Sequence, residues 1–142
     1  MSMKKNIPDI VKTVVLNASI QKVWEKVSTA EGISAWFMEN DFKAEEGHEF
    51  TIQSPFGPSP CKVLEVEPPY KLSFLWDVDG WVVTFLLKEI NNQTEFTLIH
   101  GGWDHIETVT KAGQESSNIR ERMNGGWEAI VKEKLKKVVE EE

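Results

Sequence analysis

Whatever chemistry this chain performs must start from three histidines, one cysteine and six tryptophans. His100 is the most informative histidine. It sits on an alternating apolar run beside Gly101-Gly102. There it could serve as a polar handle for a ligand or as a general acid or base. The competing reading is a buried histidine bonded to a backbone carbonyl. His48 and His105 fall near expected loops. The three are too scattered for a local metal motif, and Cys61 adds no second ligand, so neither metal nor cofactor is expected. Cys61 follows Pro60 at a strand start with only Lys62 as a basic neighbour. A buried, inert thiol is favoured over a reactive one. Asp77 and Asp79 flank a turn signal and read as turn residues. Glu39, Asp41, Glu45 and Glu46 read as a solvated acidic stretch. No P-loop, dinucleotide fingerprint, nucleophile elbow or zinc-protease motif occurs. The expectation is a binding module without catalytic residues, not an enzyme.

The aromatic residues need elements to hold them. Leu72, Phe74 and Trp76 alternate with Ser73, Leu75 and Asp77, and Trp81, Val83, Phe85 and Leu87 alternate in the same way. Asp79-Gly80 between them is a hairpin signal. A turn at Asp79-Gly80 pairs Trp76 with Val83; a turn at Val78-Asp79 pairs Trp76 with Trp81. Both registers put Leu72, Phe74 and Trp76 on the face of Val83, Phe85 and Leu87. A second turn at Asn91-Asn92 pairs Leu87 with Phe96, Phe85 with Leu98, and Val83 with His100. One sheet face then carries Phe74, Trp76, Trp81, Phe85, Phe96, Leu98 and His100. So large an aromatic face must be covered by another element.

The covering element is expected at the C-terminus. Ile119, Met123, Trp127, Ile130, Val131, Leu135 and Val138 recur at three or four, the stripe of an amphipathic helix over Ser117–Glu140. Glu128 with Lys132, and Glu133 with Lys137, are spaced as ion pairs on its outer face. Gly125 and Gly126 each cost this helix about 1 kcal/mol relative to alanine. The reading is that Gly126 faces a cavity or a neighbouring backbone, while Gly125 lies to the side. Glu140 to Glu142 read as a fraying acidic tail. Upstream, Ile10–Asn17 reads as a strand. Ser19 is an N-cap for a short helix over Ser19–Ser28, and a second covers Ala30–Phe37. Gly47–Gln53 and Cys61–Glu67 read as strands. Ser54–Pro60, with three prolines and a glycine, reads as a loop. Residues 1–8 are expected to be flexible.

The 142 residues fit one domain, and the net charge is −7. An acidic surface repels phosphate, so neither nucleic acid nor an anionic membrane surface is an expected partner. No apolar run approaches the roughly 18 residues of a membrane span. MSMKKNIPDI lacks the apolar core of a signal peptide. A single cysteine excludes an internal disulfide. Cytoplasmic residence is the expectation.

Three stretches carry a family resemblance: ASIQKVWEKVSTAEGISAWF, VEPPYKLSFLW and MNGGWEAIVKEKL. In this order they resemble the START-like (SRPBCC, helix-grip) superfamily. Within it they resemble the branch named for the C-terminal domain of the activator of heat-shock protein 90 ATPase. The resemblance runs from about Ile10 to Val139. It implies an α+β domain: a curved antiparallel sheet of six or seven strands around a long C-terminal helix, with two short helices after the first strand. It also implies a cavity between sheet and helix that holds a hydrophobic small molecule, lipid-like or polyketide- or flavonoid-like. The candidate lining is Phe74, Trp76, Trp81, Phe85, Phe96, Leu98, His100, Met123, Gly126 and Trp127. A second implied function is a chaperone-linked or stress-response interaction; a third is a cyclase-like enzyme. The activator's separate N-terminal domain has no counterpart in these residues, which ranks the chaperone role below ligand binding.

Overall fold

The computed structural model describes residues 9–54, 57–76, 81–101 and 116–140. Its sheet has six antiparallel strands: β1 (Ile10–Leu16), β2 (Glu49–Ser54), β3 (Gly57–Glu67), β4 (Lys71–Trp76), β5 (Trp81–Ile90) and β6 (Gln93–Gly101). They lie in the order β1-β6-β5-β4-β3-β2, so the meander closes back on the first strand. Helices α1 (Ile20–Val27) and α2 (Ala30–Trp36) follow β1. The C-terminal helix comprises α3 (Ser116–Ala129), a π-helical segment (Ile130–Leu135) and α4 (Lys136–Glu140). This is the expected helix-grip architecture, with six strands.

Alternation places the core. Leu72, Phe74, Trp76, Trp81, Val83, Phe85, Leu87, Phe96, Leu98 and His100 are all buried on the concave face. The β5–β6 register is the expected one, with Val83 opposite His100 and Phe85 opposite Leu98. At the β4–β5 hairpin Trp76 pairs with Trp81, so the second of the two registers is adopted. Asp77, Asp79 and Gly80 lie outside the described residues.

The loop expected over Ser54–Pro60 is a correction. Gly57 to Pro60 belong to β3, and Ser54 pairs with Gly57. Beyond Cys61, which faces Trp76 at the end of β4, β3 pairs only with the edge strand β2 among the described residues. A one-sided ladder asks for fewer backbone donors, so Pro58 and Pro60 are tolerated.

Two N-caps set the short helices. Ser19 accepts from the Lys22 amide at 3.3 Å, and Thr29 accepts from the Gly32 amide at 3.0 Å. A Cβ on Gly32 would stand 2.6 Å from the Lys26 carbonyl oxygen, so only glycine lets α2 approach α1 this closely. The same carbonyl accepts from Trp36 Nε1 at 2.8 Å and fixes that indole over the sheet.

The terminal helix runs through both glycines without a break. Its fully buried stripe is Trp127, Val131, Leu135 and Val139, while Met123, Ile130 and Val138 are half-buried. Val139, not Val138, is thus the last core position; the side chain of Ile119 is not among those described. Each buried step is four residues. An α-helix of about 3.6 residues per turn rotates such a stripe away from its contact. The wider i→i+5 turns of the π segment absorb the excess rotation and keep the stripe facing inward. Glu128 pairs with Lys132 at 3.2 Å and with Lys12 of β1 at 2.9 Å.

Glu140 is also a correction. It does not fray: its Oε2 accepts from the Asn17 amide at 2.7 Å, and its carboxylate pairs with Lys136 at 2.9 Å. These contacts tie the helix end to the end of β1 and hold the Glu140 carboxyl below the usual carboxylate range. Among the described residues no helix is long and apolar enough to cross a membrane.

A candidate ligand site at the aromatic end of the sheet

Trp76 ends β4 and Trp81 begins β5, so the hairpin register places them side by side, with ring centroids 5.6 Å apart. His100 is the next inward residue across, on β6. Its ring lies 5.5 Å from Trp76 and 5.3 Å from Trp81. Trp127 closes the group from the helix, 6.1 Å from both Trp76 and His100. Directly after His100, Gly101 makes room for a loop contact: a Cβ there would stand 2.8 Å from the Asp9 carboxylate.

One hydrogen bond settles the chemistry of His100. Trp127 Nε1 donates to His100 Nδ1 at 2.9 Å. An indole N–H can only donate, so Nδ1 must offer its lone pair and the ring proton sits on Nε2. Burial pushes the His100 pKa down to about 3, so the ring is neutral near pH 7. Its one lone pair is already used. In this state His100 can present a donor but cannot act as a general base.

Trp76 differs from two other buried indoles, those of Trp36 and Trp127. Trp36 and Trp127 both have acceptors for Nε1. Trp76 is 3% exposed, yet among the described residues its Nε1 has no hydrogen-bond partner. Such a buried donor typically costs about 1–3 kcal/mol.

Sequence reasoning missed two residues, Trp36 and Phe37. Trp36 covers Phe85 at 5.7 Å and Phe96 at 6.4 Å, the sheet centre assigned above to the long helix. Phe37 stacks on Trp127 at 5.0 Å and meets Trp76 edge-on at 5.6 Å. Adjacent aromatics at the end of a short helix were the available signal. The candidate lining therefore divides. Trp76, Trp81, His100 and Trp127 form one cluster; Phe74, Phe85 and Phe96 form a second, with Leu98 buried opposite Phe85. Met123 is half-buried against the core.

Gly126 is corrected. It and Gly125 are exposed, and nothing lies within 4 Å of a Cβ built on either. The residue one step on, Trp127, faces inward, which turns Gly126 by about a quarter of a circle to the open side. Gly126→Ala should therefore stabilise the protein by up to about 1 kcal/mol through helix propensity alone. A raised urea midpoint with an unchanged slope checks this; a lowered one would place the glycine against a neighbour.

The remaining candidates sit elsewhere. Cys61 is buried, with Sγ 3.5 Å from the Ser59 carbonyl oxygen. His48 Nε2 lies 3.3 Å from the Asp41 carbonyl oxygen, and His105 lies outside the described residues. Glu39, Asp41, Glu45 and Glu46 are exposed, and two have structural partners: Asp41 accepts from the Thr51 amide and Glu46 from the Val66 amide. Among the described residues no three His, Cys, Asp or Glu side chains are grouped to hold a metal. An open groove of about 450 Å³ lies over β2, β3 and β4, lined by Phe50, Pro60, Cys61, Lys62 and Leu75 among others. None of the candidate ligand-lining residues borders it.

The sequence profile of the family described as Activator of Hsp90 ATPase homolog 1-like protein matches residues 17–140. The chain belongs to this family. It is 58% identical to protein BH1534 of Bacillus halodurans, with a TM-score of 0.87 over 94% of this chain and 98% of that one. It is 27% identical to protein MLL2253 of Mesorhizobium loti, with a TM-score of 0.76 over 92% and 95%. The Aha1 dimer of Colwellia psychrerythraea shares the fold at 18% identity, with a TM-score of 0.75 over 94% and 97%. No functionally curated protein matches the chain. Family membership and fold agree with the resemblance carried by the three sequence stretches.

Proposed function

We propose that this protein binds a hydrophobic small molecule, planar aromatic or lipid-like, between the sheet and the C-terminal helix. Polyketide- and flavonoid-like compounds are the classes the contact chemistry suits. The observation that carries the reading is the Trp76–Trp81–His100–Trp127 cluster: apolar contact area around a few fixed polar atoms, as in small-molecule sites generally. Phe37, half-buried and in ring contact with Trp76 and Trp127, marks where a ligand would enter. The His100 tautomer favours binding over catalysis, because a cyclase-like role would need a base that His100 does not supply.

The test is a titration with lipids, phenols and polyketides, followed by tryptophan fluorescence and amide NMR shifts. Saturable binding is expected, with the largest shifts at Phe37, Trp76, Trp81 and Trp127. Absence of any saturable response across the panel would leave the cluster as packed core. Native mass spectrometry of protein from its own host would show a retained ligand by mass.

A second reading rests on the family itself: a chaperone-linked interaction, as the family's description says of its namesake. Co-purification with an ATPase chaperone, and a change in that chaperone's turnover, would favour it.

A further inference from the structure

We propose that Trp76 Nε1–H recognises a carbonyl oxygen on the ligand, so that the site selects acceptor-bearing molecules over hydrocarbons of the same shape. This inference rests on the small-molecule reading above and sharpens it.

The argument begins with what the fold did elsewhere. Trp36 and Trp127 are as buried as Trp76, and each indole N–H has an acceptor within 2.9 Å. At Trp76, among the described residues, none is present. Among the described residues its ring neighbours are Phe37, Trp81, His100 and Trp127. Phe and Trp side chains carry no acceptor, and the His100 acceptor nitrogen already takes the Trp127 proton. A phenylalanine would fill similar space without stranding a donor. Keeping an indole here makes physical sense if a partner arrives from outside the chain.

The same inventory fixes the partner's chemistry. The cluster offers the Trp76 indole N–H as its open donor, and the ring neighbours present no open acceptor side chain to it. A ligand hydroxyl set against Trp76 would find no open side-chain acceptor for its proton among the ring neighbours, so the hydroxyls of a phenolic ligand must point away from this wall. A carboxylate would bring a charge, and among the ring neighbours no cation is available to pair it. A ketone, quinone or ester carbonyl accepts only, and so matches a donor-only wall. Phe37, half-buried and edge-on to Trp76, is the ring whose displacement would open the way.

Benzophenone and diphenylmethane test this directly, since they differ only by a carbonyl in place of a methylene. Both are titrated into the wild-type protein and into Trp76→Phe. Wild type should bind both, and the substitution should weaken benzophenone about tenfold more than diphenylmethane. Taking the ratio across the two proteins cancels the probes' different affinities for water. In wild type the Trp76 indole N–H resonance, assigned through its contacts to the His100 and Trp81 rings, should move downfield with benzophenone and not with diphenylmethane. That measurement stands even where Trp76→Phe fails to fold. Equal losses for both probes, or an indole resonance that ignores the carbonyl, would overturn the inference and leave the binding reading intact. If neither probe binds wild type saturably, both fall.

Discussion

Trp127→Ala is expected to lower stability by about 3–5 kcal/mol, the usual cost of deleting a buried indole. Trp127 is 2% exposed and ties the helix down in three ways: stacked on Phe37 at the end of α2, and, on the sheet, edge-on to Trp76 and hydrogen-bonded to His100. For a chain of this size the loss should appear as a Tm lower by about 10 °C or more. Trp127→Phe separates the contributions. It keeps most of the packing but leaves His100 Nδ1 without its donor, at a cost of about 1–3 kcal/mol. Urea unfolding of both variants is the check. A cost below about 1 kcal/mol for Trp127→Ala would show that the helix is held elsewhere. The contrast with Gly126→Ala, one residue away and expected to stabilise, makes the helix orientation itself testable.

Acid should destabilise the protein through His100, starting well above the carboxylate range. The folded-state pKa is pushed down to about 3 by burial, against 6.5 for the unperturbed ring. Between these values the unfolded chain binds a proton that the folded one refuses. The contribution is therefore complete above pH 6.5 and is lost as pH falls towards about 3, at about 1.4 kcal/mol per unit. By about pH 5 the loss should be roughly 2 kcal/mol. Glu128 and Glu140, both held below the usual carboxylate range by their lysine and amide partners, add to the loss only at lower pH. Urea midpoints across this window should slope in wild type and flatten in His100→Gln, whose amide oxygen can still accept from Trp127. Ring protons of His100 that titrate near pH 6.5 in the folded protein would refute the assignment.

Much of this was legible because strand periodicity is strict. Alternation from Leu72 to His100, with two short turns, permits few registers, and both candidate hairpins agree on which side chains face inward. The helix stripe and the cap at Ser19 are local as well. The misreadings share one physical cause: a local signal was taken without its tertiary partner. The prolines at 58 and 60 signal a loop unless one knows that β3 is paired on one side only there. Glu140 looks like a fraying end unless the Asn17 amide is seen beside it. Gly126 looks like a cavity wall, although a helix can leave a glycine on its open side at modest cost.

By itself, then, the sequence determined the fold class, the inward aromatic face and the placement of His100 upon it, because those follow from periods of two and of three to four along the chain. Tertiary structure decided what those residues can do. It brought Trp36, the last residue of α2, and Phe37 directly after it over a face otherwise assigned to the C-terminal helix alone. It paired Trp127 with His100, fixing the proton on Nε2, and surrounded Trp76 with rings that carry no open acceptor. Hydrogen-bond donors find their acceptors through space, across separations such as the 27 residues between His100 and Trp127, and no local period records that.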